Sequence, residues 1–275
     1  MNPLRKKITI RVCIVEYSFM KIPSALHRFI SEFLPLPDAL HMMLISPALN
    51  DILEEARWND GVTSFDSRWH PNFNDAYAIA AAGRFNCLTS IDLSAHCSLT
   101  DRAVVAFAED CPGLTSVNLS ECFNLTDEAV LALAEHCPGL IAVNMNAVTQ
   151  ITDSAVVAIA KRCMGLASIG LKDCFRDGAT NGALAMKALG EHCPGLSHVD
   201  LGNCFNLTDG AVVALVKHGH NFTSINLSYC SDLTDIAVLA LGEHCPGLSS
   251  VNLEQCSNIT DSAVVALAEK CRGLT

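Results

Sequence analysis

The chain has 275 residues, half of them apolar and only 6% aromatic, with 18 Lys and Arg against 29 Asp and Glu. A formal net charge of −11 excludes a general electrostatic attraction to nucleic acid or to an anionic membrane surface, so the expected partner is a protein. The dominance of Ala, Val and Leu over aromatic residues suits many small, similar packing layers better than one irregular core.

The opening stretch MNPLRKKITIRVCIVEYSFM is basic and then apolar, but Arg11 and Glu16 interrupt it and no small-residue cleavage site follows. It does not read as a secretory signal. No window reaches the roughly 18 uncharged apolar residues of a membrane span, so the expected location is cytoplasmic, with the nucleus as the other compartment open to it. Residues 1–20 are a separate N-terminal extension with no assigned role.

Residues 21–57 form the next segment. Leu26, Phe29, Ile30, Phe33 and Leu34 recur at helical spacing, then Pro35 and Pro37 mark a turn before a second apolar stretch. The pattern predicts a compact helical pair, which on its own reads as a cap shielding whatever follows. Residues 58–84 are expected to be a linker and a capping helix, because FNDAYAIAAAGRFNCL from Phe73 follows the spacing of LTDEAVLALAEHCPGL from Leu125.

From Phe85 to Thr275 one unit is written again and again. Aligned on a recurring cysteine, copies start at Cys111, Cys137, Cys163, Cys193, Gly219, Cys245 and Cys271, spaced by 26, 26, 30, 26, 26 and 26 residues. An earlier copy without the leading cysteine runs from Phe85, with Leu88, Ile91 and Leu93 in register with Leu114, Val117 and Leu119. That makes seven units and a truncated stub. Within a unit, Val117 and Leu119 alternate with Ser116, Asn118 and Ser120, the period of a short strand with one buried face. Thr126 or Asp127 then caps a helix whose Val130, Leu133 and Cys137 share one stripe before Pro138 and Gly139 end it. Neither element buries its apolar side alone, so units must stack strand on strand and helix on helix.

The phrase L-x-x-V/I-x-L-x-x-C followed by L-T-D-x-A-V-x-A-L resembles the cysteine-containing subfamily of leucine-rich repeats. The resemblance covers about residues 72–275. It implies an α/β leucine-rich-repeat solenoid, with a parallel inner sheet and outer helices, preceded by the short helical segment. Given such repeats, residues 22–50 resemble an F-box, matching at Ile22, Pro23, Leu26, Ile30, Leu34, Asp38, Leu40 and Leu44 and departing at Ala25, Ser46, Pro47 and Leu49. The combined resemblance implies the substrate receptor of an SCF-type cullin-RING ubiquitin ligase. The adaptor, and through it the cullin, would dock on Ile22, Pro23, Leu26, Ile30, Leu34, Asp38 and Leu44, while the repeats hold a protein substrate. A repeat scaffold or inhibitor with a plain helical cap is the other reading.

The 14 cysteines invite a metal reading, yet no C-x-x-C pair exists and His136, His192 and His244 recur one per unit instead of clustering. His218 and His220 near a helix end read as solvated. A reducing compartment disfavours bridges, and Val148 and Gly219 take cysteine positions without disturbing the spacing. The expected role of Cys122, Cys174, Cys204, Cys230 and Cys256 is therefore packing at a tight corner, with no metal and no cofactor. The N-x-S/T sequons at Asn118, Asn124, Asn206, Asn221, Asn226 and Asn258 arise from the repeat itself. DGATNGALAMKALG lacks the lysine and spacing of a phosphate loop, and no nucleophile–base constellation stands out from the periodic polar residues, so no catalytic residue is assigned.

Recognition is expected on the concave strand face. The fourth unit breaks the pattern, running four residues longer from Cys174 to Cys193 without an L-T-D cap, so its loop from Arg176 to Gly182 should protrude. Lys172, Asp173, Phe175, Arg176 and Asp177 are the expected partner contacts there, with His198, Asp200, Tyr229 and Glu254 on the same face. Thr275 falls five residues into a unit, from which a longer reading frame, or pairing through that end, is expected.

Overall fold

A computed structural model of the chain describes residues 63–68, 73–175, 182–218 and 221–274. The adaptor-contact positions between Ile22 and Leu44 lie outside them, as do Arg176 and Asp177 of the long loop. Strand and helix alternate without exception along the described residues: β1 (Ser64–Asp66), α1 (Asp75–Arg84), β2 (Ser90–Asp92), α2 (Asp101–Asp110), β3 (Ser116–Asn118) and α3 (Asp127–His136). There follow β4 (Ala142–Asn144), α4 (Asp153–Arg162), β5 (Ser168–Gly170), α5 (Ala183–His192) and β6 (His198–Asp200). The series closes with α6 (Asp209–Val216), β7 (Ser224–Asn226), α7 (Asp235–His244), β8 (Ser250–Asn252) and α8 (Asp261–Lys270).

The eight strands form one open parallel sheet in sequence order, each paired in register with the next. Their middle residues make a single inward column, Phe65, Ile91, Val117, Val143, Ile169, Val199, Ile225 and Val251. Two further columns flank it, running through Leu88, Leu114, Leu140 and Leu166 and through Leu93, Leu119, Met145 and Leu171, all fully buried. From the other side each helix contributes a stripe such as Ala129, Val130, Leu133 and Ala134. Each layer thus withdraws several aliphatic side chains from water, at about 1.5–3 kcal/mol apiece, but only against its neighbours. This is the α/β leucine-rich-repeat solenoid expected from the sequence. Among the described residues no helix is long and apolar enough to cross a membrane.

Among the described residues the stack begins one rung before Phe85. The expected helix at the end of residues 58–84 is α1, capped by Asn74 through its amides at Ala76 and Tyr77, and β1 precedes it on the sheet. The consensus leucines are missing from that unit: Phe65 fills the inward strand slot and Ser67 replaces the leucine after it, its hydroxyl donating to the Asp92 carbonyl at 3.0 Å. Phe65, Phe73 and Phe107 supply the bulk instead, with ring centroids 5.7 Å apart in each pair made by Phe65.

Both series of cysteines are hydrogen-bond donors between layers. The corner thiols of Cys122, Cys174, Cys204, Cys230 and Cys256 donate to carbonyls of the preceding unit at Leu93, Met145, Leu171, Leu201 and Leu227, with S···O distances of 3.0 to 3.4 Å. The thiols that close the helices do likewise: Cys111 to Phe85, Cys137 to Cys111, Cys163 to Cys137 and Cys271 to Cys245. Burial pushes these thiols up, to about 11 for Cys111 and Cys122 and about 12 for Cys137, Cys193 and Cys245, which keeps the proton that the bond needs. Cysteine fits the slot because it is small and apolar yet carries a donor, a combination that Val148 gives up at the same corner.

The helix starts resolve the choice between Thr126 and Asp127. Thr is the N-cap, with Thr126 Oγ1 accepting from the Glu128 amide, while Asp opens the first turn. The Asp carboxylate has a second task that its spacing did not disclose: it accepts from the amide and hydroxyl of the N-cap Thr one unit further on. Asp127 takes Thr152 N at 2.7 Å and Thr152 Oγ1 at 2.6 Å, and Asp75, Asp101, Asp209 and Asp235 do the same to Thr100, Thr126, Thr234 and Thr260. These are charge-assisted bonds, stronger than neutral ones. Asp153 meets the irregular unit, whose helix has Gly182 at the N-cap in place of Thr, and bonds the Ala185 amide instead at 3.0 Å.

Candidate recognition face

The third residue of each strand faces outward and ends it. Its side-chain oxygen accepts from the backbone amide two residues on, an Asx turn that leads the chain out of the sheet. Asp92, Asn118, Asn144, Asp200, Asn226 and Asn252 all make this bond, at 2.9 to 3.2 Å. Three residues past this rung, just before each corner position, the backbone turns left-handed, with φ of 57° to 63° at Ala95, Glu121, Ala147, Asp173, Asn203, Tyr229 and Gln255. None of these is glycine, so each carries some strain, and the bulky Tyr229 carries the most conspicuous case. The sequence held no signal for them, since the position accepts small, acidic, amide and aromatic residues alike.

Gly170 breaks the row. No rung stands there, and the neighbours close over the gap: a Cβ on Gly170 would sit 2.5 Å from Asn144 Oδ1 and 2.7 Å from Asn146 Oδ1. Asn146 Oδ1 takes the Lys172 amide at 2.9 Å, and its Nδ2 reaches across the missing rung to Asp200 Oδ2 at 3.2 Å. Asp200 Oδ1 also accepts Asn226 Nδ2 at 2.8 Å. The face is hollowed around this point into a depression of about 450 Å³ lined by residues of β3 to β7, among them Ser168, Gly170, His198, Asp200 and Ser224.

Most of the expected contacts fall on this half of the face. His198 and Asp200 line the depression; His198 is exposed, its Nδ1 2.8 Å from Ser197 Oγ and its Nε2 3.4 Å from Thr223 Oγ1. Lys172 and Asp173 are half-buried where β5 ends, with Asp173 Oδ2 accepting from Asn203 Nδ2 at 3.2 Å. Tyr229 is exposed and donates its hydroxyl to Glu254 Oε1 at 3.1 Å, a bond to a carboxylate that raises the phenol above its usual range. Gly170, Asn144 and Asn146 were not singled out from the sequence, although a glycine in a row of Asp and Asn was the legible sign.

Phe175 is not a surface contact. It is fully buried, whereas Phe123 and Phe205 in the equivalent position are exposed. The irregular unit lacks the leucine that precedes Thr-Asp elsewhere, and the Phe175 ring fills that place: Gly182, left-handed with φ 69°, lies against it, and a Cβ there would stand 3.2 Å from Phe175 Cδ2 and 3.6 Å from Leu207 Cδ1.

The electrostatics of the row are uneven. Asp92 is 3.3 Å from Arg68 Nε, and Arg68 also forks onto Asp66. Among the described residues no Lys, Arg or His nitrogen lies within ion-pair distance of Asp200. Nor, among those residues, do three His, Cys, Asp or Glu side chains converge as a metal site would require.

No family model matches the chain, and no curated protein matches it in sequence. Solved structures do match in fold. A chain of the crystal structure of the Rad7 and Elc1 complex in yeast superposes with a TM-score of 0.55 at 17% identity, covering 78% of this chain and 68% of that one.

Proposed function

We propose that the chain is a non-catalytic, substrate-recruiting subunit of an SCF-type cullin-RING ubiquitin ligase. The observation that carries the reading is the open sheet face, hollowed at β5 and β6, on a solenoid whose other polar ties are spent within the stack. Such a surface suits holding another polypeptide. Support also comes from the F-box resemblance of residues 22–50 in front of the repeats, and from a fold shared with a chain solved in a two-protein complex. The chain's contribution is proximity: it raises the effective concentration of substrate lysines beside a charged conjugating enzyme carried by other subunits.

The test is binding of the recombinant chain to a purified ligase adaptor. Micromolar or tighter association, lost when residues 22–50 are deleted, is the expected result. An adaptor that ignores the intact chain at micromolar concentration overturns the ligase assignment and leaves a repeat scaffold whose first helices only cap the core.

A further inference from the structure

We infer that the depression over Gly170 seats an arginine side chain from an extended segment of a partner protein, with Asp200 as its counter-charge. The inference rests on the sheet face being the recognition surface.

Four of the eight equivalent positions are Asn, and their amide oxygens make the Asx turn at 2.9 to 3.2 Å, the same length as Asp200 achieves with the Gly202 amide at 3.1 Å. The negative charge of an aspartate is therefore not needed to build the turn. The other aspartates of the row, Asp66 and Asp92, have their charge met by Arg68. Asp200 has no such cation among the described residues, and the Lys172 ammonium, at the end of the adjacent strand, makes no ion pair with it.

The surrounding groups are one-sided in the same sense. Both side-chain amides that border Asp200, Asn146 Nδ2 and Asn226 Nδ2, already donate to its carboxylate. Beside the gap stand Asn144 Oδ1 and Asn146 Oδ1, crowded over Gly170 and each with a second lone pair, and the unspent acceptor capacity of Asp200. An acceptor-rich hollow with one uncompensated carboxylate repels phosphate and carboxylate ligands and favours a donor-rich cation. Guanidinium, planar with five N–H donors, satisfies several separated oxygens at once, which a lysine ammonium does not. The two asparagine oxygens that close over Gly170 form the floor, and the net charge of −11 steers cationic segments toward the molecule.

The experiment is selection of a random peptide library on the intact chain, followed by affinity measurement of the selected peptides by fluorescence anisotropy. The expected result is arginine at one fixed peptide position. Asp200→Asn should weaken binding about ten- to hundred-fold, the loss characteristic of a hydrogen-bonded charged pair, with a cooperative unfolding transition retained, since Asn already builds the turn at four other rungs, and lowered only by the lost bond to Asn146 or Asn226. Replacing that peptide arginine by glutamine should give the same loss on the unaltered protein, and little further loss on Asp200→Asn. Peptides without a fixed arginine that still compete for the sheet face, or arginine peptides indifferent to Asp200→Asn, overturn the inference and leave the recognition face standing. Failure to select any peptide that binds the sheet face overturns both.

Discussion

Gly190 and Gly242 occupy the same slot in their repeats, three residues before the closing cysteine and within the same phrase L-G-E-H, yet they should respond in opposite ways to alanine. In α7 a Cβ on Gly242 would find ordinary contacts, 3.5 Å to Lys270 Cδ and 3.6 Å to Leu267 Cα. Alanine already fills this slot at Ala108, Ala134 and Ala160. Gly242→Ala should therefore gain about 1 kcal/mol from helix propensity alone. In α5 a Cβ on Gly190 would lie 2.6 Å from the Ala214 carbonyl oxygen and 2.7 Å from that of Leu215, where ordinary contact begins at 3.4 Å. These are backbone atoms in the last turn of α6, so relief requires the two helices to part. Overpacking of that kind costs about 1–3 kcal/mol, here toward the upper end, and offsets the propensity gain to leave a net loss of about 1–2 kcal/mol. Urea titration followed by circular dichroism at 222 nm reads both, and the two variants should flank the parent with a separation of about 2–3 kcal/mol. If Gly190→Ala raised the midpoint as Gly242→Ala does, the close approach of α5 to α6 would be refuted.

Asp127→Ala removes both bonds to Thr152 and leaves the Thr amide without its charged partner; a loss of about 2–3 kcal/mol is expected by the same titration, with Asp127→Asn losing less. The Asp235 carboxyl, held below its usual range chiefly by the Thr260 amide and then by its hydroxyl, contributes stability that is present above the unfolded-chain value of about 4 and fades as pH falls through its lower folded value. Parent and Asp235→Asn should accordingly differ by a constant amount from neutral pH down to about pH 5 and converge in more acidic solution. Among the described thiols, Cys87 and Cys97 are exposed and should react with a disulfide reagent in the native state, while the buried ones wait for unfolding; peptide mapping by mass spectrometry locates the label. Cys122→Val keeps an apolar side chain but deletes the donor to the Leu93 carbonyl, and is expected to cost about 1 kcal/mol.

The phase of the repeat was legible because it is local and redundant: a two-residue alternation at Val117 and Leu119, a Thr-Asp start and a Pro-Gly stop declare strand, helix and corner in most copies. What escaped was settled by contacts between copies. Nothing near Asp127 says that its carboxylate will hold Thr152, because the bond joins residues 25 apart. Phe175 read as a partner contact because it leads into the long loop, and only the loss of a leucine from its own layer turned the ring inward. The first rung was missed for a related reason, since Phe65 and Ser67 fill consensus slots with residues that break the consensus. On the recognition face, His198, Asp200 and Tyr229 were readable as outward strand and turn residues, but the depression that gathers His198 and Asp200 depends on side chains that are absent at Gly170.

The ties between layers also bear on how such an array can change length. In regular copies each tie joins residues at a constant offset: 25 for the Asp–Thr bonds, 26 for closing thiols and 29 for corner thiols. Duplicating or excising a whole 26-residue block would hand every donor an equivalent acceptor, so the array tolerates growth and shrinkage in integral steps. The irregular copy shows the alternative, where its longer loop stretches those offsets to 32 and 33 and the Thr contact is traded for a bare amide. A gene encoding this architecture can therefore drift in copy number more freely than it can acquire a few residues inside any one copy.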